Sequence, residues 1–453
     1  MERVQENKMG SMPVLKLIFS MSIPAMFSML IQSLYNVVDS IFVAQIGEEA
    51  LTAVSLAFPV QMLLIAVGVG TGVGINSLVS RRLGEKQQEE ANHAATHGII
   101  LAVASWVLFA LFGLFFAELF FHNFTENAVV SQMGIVYTKI VTICSFGIFI
   151  EVNIEKTLQA TGNMIYPMVF QLIGAVTNII LDPIMIFGLL GFPAMGVAGA
   201  ALATVLGQIF AMLFSIYIAF AKSHQVHISF KNFKLRMKTI KDIYSVGFPA
   251  IIMQAIGSVL IVGLNKILIS FSEAAVAVLG VYYKLQSFIF MPVFGLTQGI
   301  MPIMGYNYGA KNKKRLMQAL KYGCIIASCI MFLGMLLFLL FPKALLMLFN
   351  ASPAMLEAGI PALRIICTCF VPAAFGILFS TLFQAVGMGG KSLLISVLRQ
   401  LVVILPCAYL FSRIGLNYTW LAFPTAEIVS FLASLLIFSV LYRRHLKNLS
   451  PAE

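Results

Sequence analysis

The stretch Asn178-Ile179-Ile180-Leu181-Asp182-Pro183 lies inside an apolar run that reaches from about Met164 to Leu190. A carboxylate at the centre of a bilayer costs roughly 2.5–3.5 kcal/mol on insertion scales. A chain keeps such a group only if it is paired, solvated or protonated. Asn178 and Asp182 are four residues apart and so share one face of a helix. Pro183 removes a ladder hydrogen bond, tends to bend the helix and frees a carbonyl nearby. Acid, amide oxygen and freed carbonyl are hard oxygen ligands, suited to a proton or a small hard cation. The following run carries Thr204 and the first run carries Asp39. These four side chains are expected to converge as an ion-coupling site. The alternative is structural: acids held at water-filled or interfacial depth, with Asn178 and Thr204 joining helices.

The rest of the chain makes bilayer depth the right setting. It is 60% hydrophobic and 10% charged over 453 residues, where a soluble domain carries about 25% charged residues. Runs long enough to span fall at 15–42, 52–80, 94–120, 134–154, 164–188, 197–221, 243–269, 275–304, 318–341, 358–384, 392–412 and 418–442. The fold class is therefore an all-α polytopic membrane protein of twelve transmembrane helices. The second and eighth runs are rich in glycine and open to being read as interrupted. The net charge of +11 sits in loops that flank apolar spans, which speaks for membrane topology and against nucleic acid. Alternate loops hold most of the lysine and arginine, so both termini are expected in the cytoplasm and the protein in an inner membrane, with Met1 to Lys16 an uncleaved tail. The six cysteines lie in apolar runs with no CxxC pair, which implies no disulfide framework or metal site.

The most polar internal stretch, 222–241, reads as a linker between an N-lobe at 15–221 and a C-lobe at 242–442, with tails at 1–14 and 443–453. The halves repeat. Pro24-Ala25 pairs with Pro249-Ala250, an offset of 249 − 24 = 225 in the numbering. The same offset pairs Gln61 with Gln286, Gly74 with Gly299, Lys86 with Lys311, Gly98 with Gly323 and Gly162 with Gly387. Six spans per half makes the repeats parallel. Asp182, Asn178 and Asp39 fall on Cys407, Val403 and Leu264, so the acids belong to the N-terminal half alone.

These features, with Val38-Asp39-Ser40-Ile41-Phe42-Val43, Gln159-Ala160-Thr161-Gly162-Asn163, Gln384-Ala385-Val386-Gly387, Asn178 to Gly188 and Gly196 to Thr204, resemble the multidrug and toxic compound extrusion (MATE) family. The resemblance implies a secondary active transporter that exports cationic amphipathic compounds in exchange for sodium ions or protons by alternating access. It also implies a cation site at Asp39, Asn178, Asp182 and Thr204. No cofactor is expected beyond the coupling ion, the partners are lipophilic cations and the lipid bilayer, and nothing demands more than a monomer. A lipid-linked precursor flippase of similar architecture is the alternative. An intramembrane enzyme is disfavoured, since no Ser/His/Asp pairing, HExxH or nucleotide loop is visible.

Substrate contacts are expected at Tyr35 and Asn36, which share the Asp39 face, and at Asn153 and Glu155 if these face a cytoplasmic vestibule. Glu155 with Lys156 also reads as a salt bridge or a snorkelling pair. Lys284 and Arg399, in mid-run, are either paired inside the C-lobe or functional. His93 and His97 have a spacing that can hold a metal, but read rather as a solvated helix start.

Overall fold

The computed structural model describes residues 7–222, 224–231 and 233–449. Tail positions 1–6 and 450–453 and linker positions 223 and 232 lie outside the described residues. The chain is all-helical. We number the long helices α1 (Val14–Ile46), α2 (Glu48–Gly84), α3 (Gln88–Phe115), α4 (Ala128–Ile143), α5 (Phe146–Ala160), α6 (Ile165–Phe187), α7 (Val197–Ala221), α8 (Met237–Leu268), α9 (Glu273–Gly309), α10 (Lys313–Leu340), α11 (Pro353–Ala385), α12 (Gly389–Ser412) and α13 (Leu416–Leu446). Eleven of these are long and apolar enough to span, and α4 and α5, bent by 43° at their junction, together make a twelfth. The expected span at 134–154 is this bent pair. The glycine-rich second and eighth spans are continuous helices of 37 residues each. Helix α8 begins at Met237, inside the stretch expected as linker, and α13 runs to Leu446, into the expected tail.

The chain divides into two compact units, Phe27–Ile251 and Met1–Met26 with Ile252–Glu453. The boundaries Met26/Phe27 and Ile251/Ile252 are themselves separated by the repeat offset, just after Pro24 and Pro249. The lobes read from sequence, 15–221 and 242–442, keep each first helix whole. The compact units instead divide α1 and α8 and exchange their opening turns.

Each unit accepts its borrowed turns through glycine. A Cβ on Gly70 would stand 2.8 Å from the Ile251 nitrogen, and one on Gly74 would stand 2.2 Å from the Ile243 carbonyl. In the other unit a Cβ on Gly295 would meet the Met26 backbone at 2.5 Å, and one on Gly299 the Ser22 backbone at 2.8 Å. Without water to drive helices together, contact of this closeness is what holds them in lipid. The repeat extends to finer detail. Gly98 lies under the Ile75 side chain, and their repeat mates Gly323 and Ile300 make the same contact. Lys86 and Lys311 both turn with positive φ, 59° and 55°.

Aromatic packing fills both interiors. Phe109 and Phe149 join Phe121 and Leu64 in one unit, while Phe338, Phe370 and Phe290 stack edge to face in the other. The segment before α8 lies along α3. Ser229 donates its N–H to Thr96 Oγ1 at 3.2 Å, and Arg236 pairs with Glu90 at 2.7 Å. His97 corrects the expectation of a solvated helix start. Its ring is fully buried against Phe233 and accepts the Arg236 N–H at 2.9 Å.

Candidate functional site

The site sits where α6 and α7 come closest. A Cβ on Gly207 would be 2.7 Å from the Gly174 carbonyl, and one on Gly199 would be 2.4 Å from the Met185 carbonyl. The two helices are thus pressed backbone to backbone on either side of Thr204. Asn178, one turn beyond Gly174, and Asp182, one turn further, face into this seam with Thr204 and are 2%, 0% and 4% exposed. Pro183 lies within α6, and the helix carries on past it to Gly188, whose φ of 75° closes the end. The Met185 and Ile186 carbonyls are then capped by the N–H groups of Met195 and Gly196, which steers the chain into α7.

The Thr204 backbone N–H can only donate, and this fixes the Asn178 amide with its oxygen toward Thr204. Its nitrogen donates to Asp182 Oδ2 at 2.8 Å. Its oxygen accepts from the Thr204 hydroxyl at 3.2 Å and from the Thr204 N–H at 3.0 Å. Helix α1 brings the rest. The Asp39 carboxyl lies within electrostatic reach of Asp182, and the Tyr35 hydroxyl within reach of both acids. Asp39 Oδ1 is buried without a partner among the described residues. Two carboxyls this near each other at bilayer depth favour sharing a proton or a cation over both standing bare. The two carboxyls offer hard oxygen to a proton or an alkali cation, while the Asn178 amide, its oxygen held by Thr204, turns its nitrogen to Asp182.

Five of the eight residues expected from sequence thus come together: Tyr35, Asp39, Asn178, Asp182 and Thr204. The other three do not join them. Asn36 is exposed on α1. Asn153 and Glu155 are 1% and 2% exposed on α5, in a second polar cluster. There Glu155 accepts from Lys156 at 2.9 Å, Gln159 at 2.8 Å and Gln171 at 3.0 Å, so its ion pair with Lys156 is buried rather than snorkelling. Sequence reasoning missed Tyr137, buried on α4. Its hydroxyl donates to Gln61 at 3.3 Å, and it lies within electrostatic reach of Tyr35, Asp39 and Asp182. Gln61 had a signal, its repeat mate Gln286. Tyr137 had none, because a tyrosine in an apolar run reads as packing.

The other unit is apolar at the matching positions Leu264, Val403 and Cys407. Its own mid-run arginine, Arg399, sits in a π-helical turn (Leu398–Ile404) and pairs with Glu427 at 3.1 Å. Lys284 lies 5.8 Å from the Phe349 ring centroid.

Comparison with known proteins places this architecture. The family model described as MatE matches residues 24–184 and 249–410, one match in each repeat. The multidrug export protein MepA of Staphylococcus haemolyticus is 25% identical over 442 residues, covering 97% of each chain. MepA of Staphylococcus aureus is 26% identical over 434 residues, covering 95% of each. Among solved structures, an outward-facing multidrug resistance MATE family transporter of the MOP superfamily superposes with a TM-score of 0.91 at 30% identity, covering 98% of this chain and 100% of that one. A MOP superfamily transporter from Pyrococcus furiosus gives 0.90 at 30% identity, covering 97% and 99%. With both repeats matched and the whole chain superposed, the protein belongs to the MATE family of polytopic membrane transporters, and it is a transporter rather than an enzyme.

Proposed function

We propose that this protein is a secondary active multidrug exporter, moving cationic amphipathic compounds outward in exchange for sodium ions or protons. The observation that carries the reading is the seam of Asp39, Asn178, Asp182 and Thr204, with Asp182 fully buried and Asp39 half-buried in one unit and no acid at either repeat mate. The names of the relatives, multidrug export proteins, support the cargo class.

The cycle follows from charge balance. A proton or sodium ion entering the seam neutralises the acid pair and draws α1 toward α6 and α7. Its departure leaves two carboxylates that repel. The contact between α1 and α6 thus has two settings, which bias a two-state protein toward one opening or the other. MATE neighbours have been solved in a straight and in a bent conformation, at TM-scores of 0.90 and 0.88 to this chain. Pro24 in α1 and Pro183 in α6 are this chain's bending points. Exchange is obligatory if ion and drug favour opposite states, and it is driven by the ion gradient plus roughly 2.3 kcal/mol per charge per 100 mV. Tyr35 beside the acid pair and the exposed Asn36 next to it are the substrate-facing positions of α1. The protein acts as a monomer in the inner membrane, with both termini in the cytoplasm.

The test is efflux of a fluorescent lipophilic cation from proteoliposomes under separate sodium and pH gradients. One gradient should drive transport. Asp182→Asn should reduce it to the protein-free background while the variant inserts normally. Undiminished gradient-driven efflux in the variant would refute the assignment.

A further inference from the structure

The second polar cluster has an unbalanced charge. All ten positions 151–160 of α5 are buried. Among them are two acids and one base: Glu151 at 8% exposure, Glu155 at 2% and Lys156 at 5%. Glu155 is satisfied by Lys156, Gln159 and Gln171. Glu151 is one turn away on the same helix face, and its Oε1 is buried with no hydrogen-bond partner among the described residues. The Oε1 of Gln171, whose amide nitrogen bonds Glu155, is likewise buried and unpartnered among them.

The charges that act on Glu151 are Glu155 and Lys156. Helices α2, α3, α6 and α7 pack against α5, and none of their described residues adds a charge to these two. The sum of two carboxylates and one ammonium is −1. A lone buried carboxylate without a donor is far more costly than a neutral acid. A metal cation would need several oxygens around it, and here the ammonium already stands on the shared carboxylate. A proton needs only the one free oxygen, and it turns an orphaned charged acceptor into a neutral acid.

We propose that Glu151 is a second proton-binding site of the unit, separate from the Asp39–Asp182 seam, holding one proton while Glu155 and Lys156 form an ion pair beside it. The site lies on α5, whereas the seam is built from α1, α6 and α7. Occupancy of the site stands on its own geometry. Its part in ion exchange rests on the transport reading above.

Infrared spectroscopy of the full-length protein in lipid nanodiscs at neutral pH tests this. Protonated carboxyls give a C=O band, shifted by deuterium exchange, that carboxylates lack. Glu151→Gln should remove one carboxyl's share of that band. If the band is unchanged in folded Glu151→Gln protein, the proposal is overturned. If that variant is not recovered folded, Glu155→Gln decides on the same criterion. With Glu155 neutral, Lys156 balances Glu151, which then ionises and gives up its share of the band; an undiminished band in Glu155→Gln overturns the proposal. Transport by Asp182→Asn, measured in the same lipids, separates the two failures. An unchanged band with transport abolished in Asp182→Asn sinks this site alone. A lost band with Asp182→Asn transporting normally sinks the coupling reading alone.

Discussion

At matching positions of the repeat the two units use the same backbone for opposite ends. In one, Gly174 and Gly207 let α6 and α7 touch, and Asn178 reaches Thr204 across the seam. In the other, the matching positions are Arg399 and Leu432, and Asn178, Asp182 and Thr204 become Val403, Cys407 and Val429. A guanidinium cannot be set against a helix backbone as a glycine can. The turn that carries it is wound as a π-helix, a form common where a helix absorbs an awkward residue, and the side chain reaches out to Glu427. The borrowed opening turns and their glycine seats, by contrast, are alike in both units. The repeat therefore keeps the frame, and the chemistry differs where a glycine pair does or does not bring two helices into contact.

That comparison can be broken at graded cost, beyond the loss of coupling expected from Asp182→Asn. If the Arg399–Glu427 pair is structural, Arg399→Leu leaves a carboxylate at 12% side-chain exposure without its partner. The cost should be about 2–3 kcal/mol, below that of a fully buried pair because Arg399 is 28% exposed. The double variant Arg399→Leu/Glu427→Leu should recover most of it in thermal unfolding. A double variant no better than the single one would mark the pair as more than structural.

Smaller changes sharpen the contrast at matched positions. Thr204→Val keeps the shape but removes one buried hydroxyl bond, about 1 kcal/mol, which weakens coupling-ion affinity roughly fivefold. The mirror change Val429→Thr, at the matching position of the other unit, should leave ion affinity unaltered. Equal effects from both would erase the distinction between the units.

The smallest effect lies at Glu118, just past the end of α3. The hydrogen bond and charge of Lys139 hold the Glu118 carboxyl below the usual carboxylate range. A lowered pKa contributes stability at neutral pH that fades as pH falls through the folded value. The pair is open to water, with Glu118 at 61% side-chain exposure. Glu118→Gln should therefore move the unfolding temperature by no more than about one degree at pH 7. A larger drop would show the bent pair α4 and α5 to depend on this contact.

Much of this was legible from residues alone because the bilayer is a harsh solvent. A run of about 20 apolar residues has few options there. A carboxylate in such a run is costly enough to single out Asp182 and Asp39 without any structure. The spacing of Asn178 and Asp182 implied a shared face, and the repeat showed that the acids were local to one half. Tyr137 escaped notice because its role depends on which helix its ring meets, something periodicity within one helix does not carry. The solvated reading of His97 failed for the same reason: its partner, the Arg236 N–H, lies 139 residues away.

The sequence by itself thus determined the membrane class, the two repeats and the intramembrane acids Asp39 and Asp182, since these follow from the chain's own pattern and from local costs in lipid. The tertiary structure alone decided that the units exchange their first helical turns and that the Glu155–Lys156 pair is buried instead of snorkelling. It alone decided that Tyr137 joins the acid pair and that Glu151 is left with an orphaned oxygen. These depend on contacts between helices distant in the chain, where the approach of two backbones, down to a single missing Cβ, settles which side chains meet.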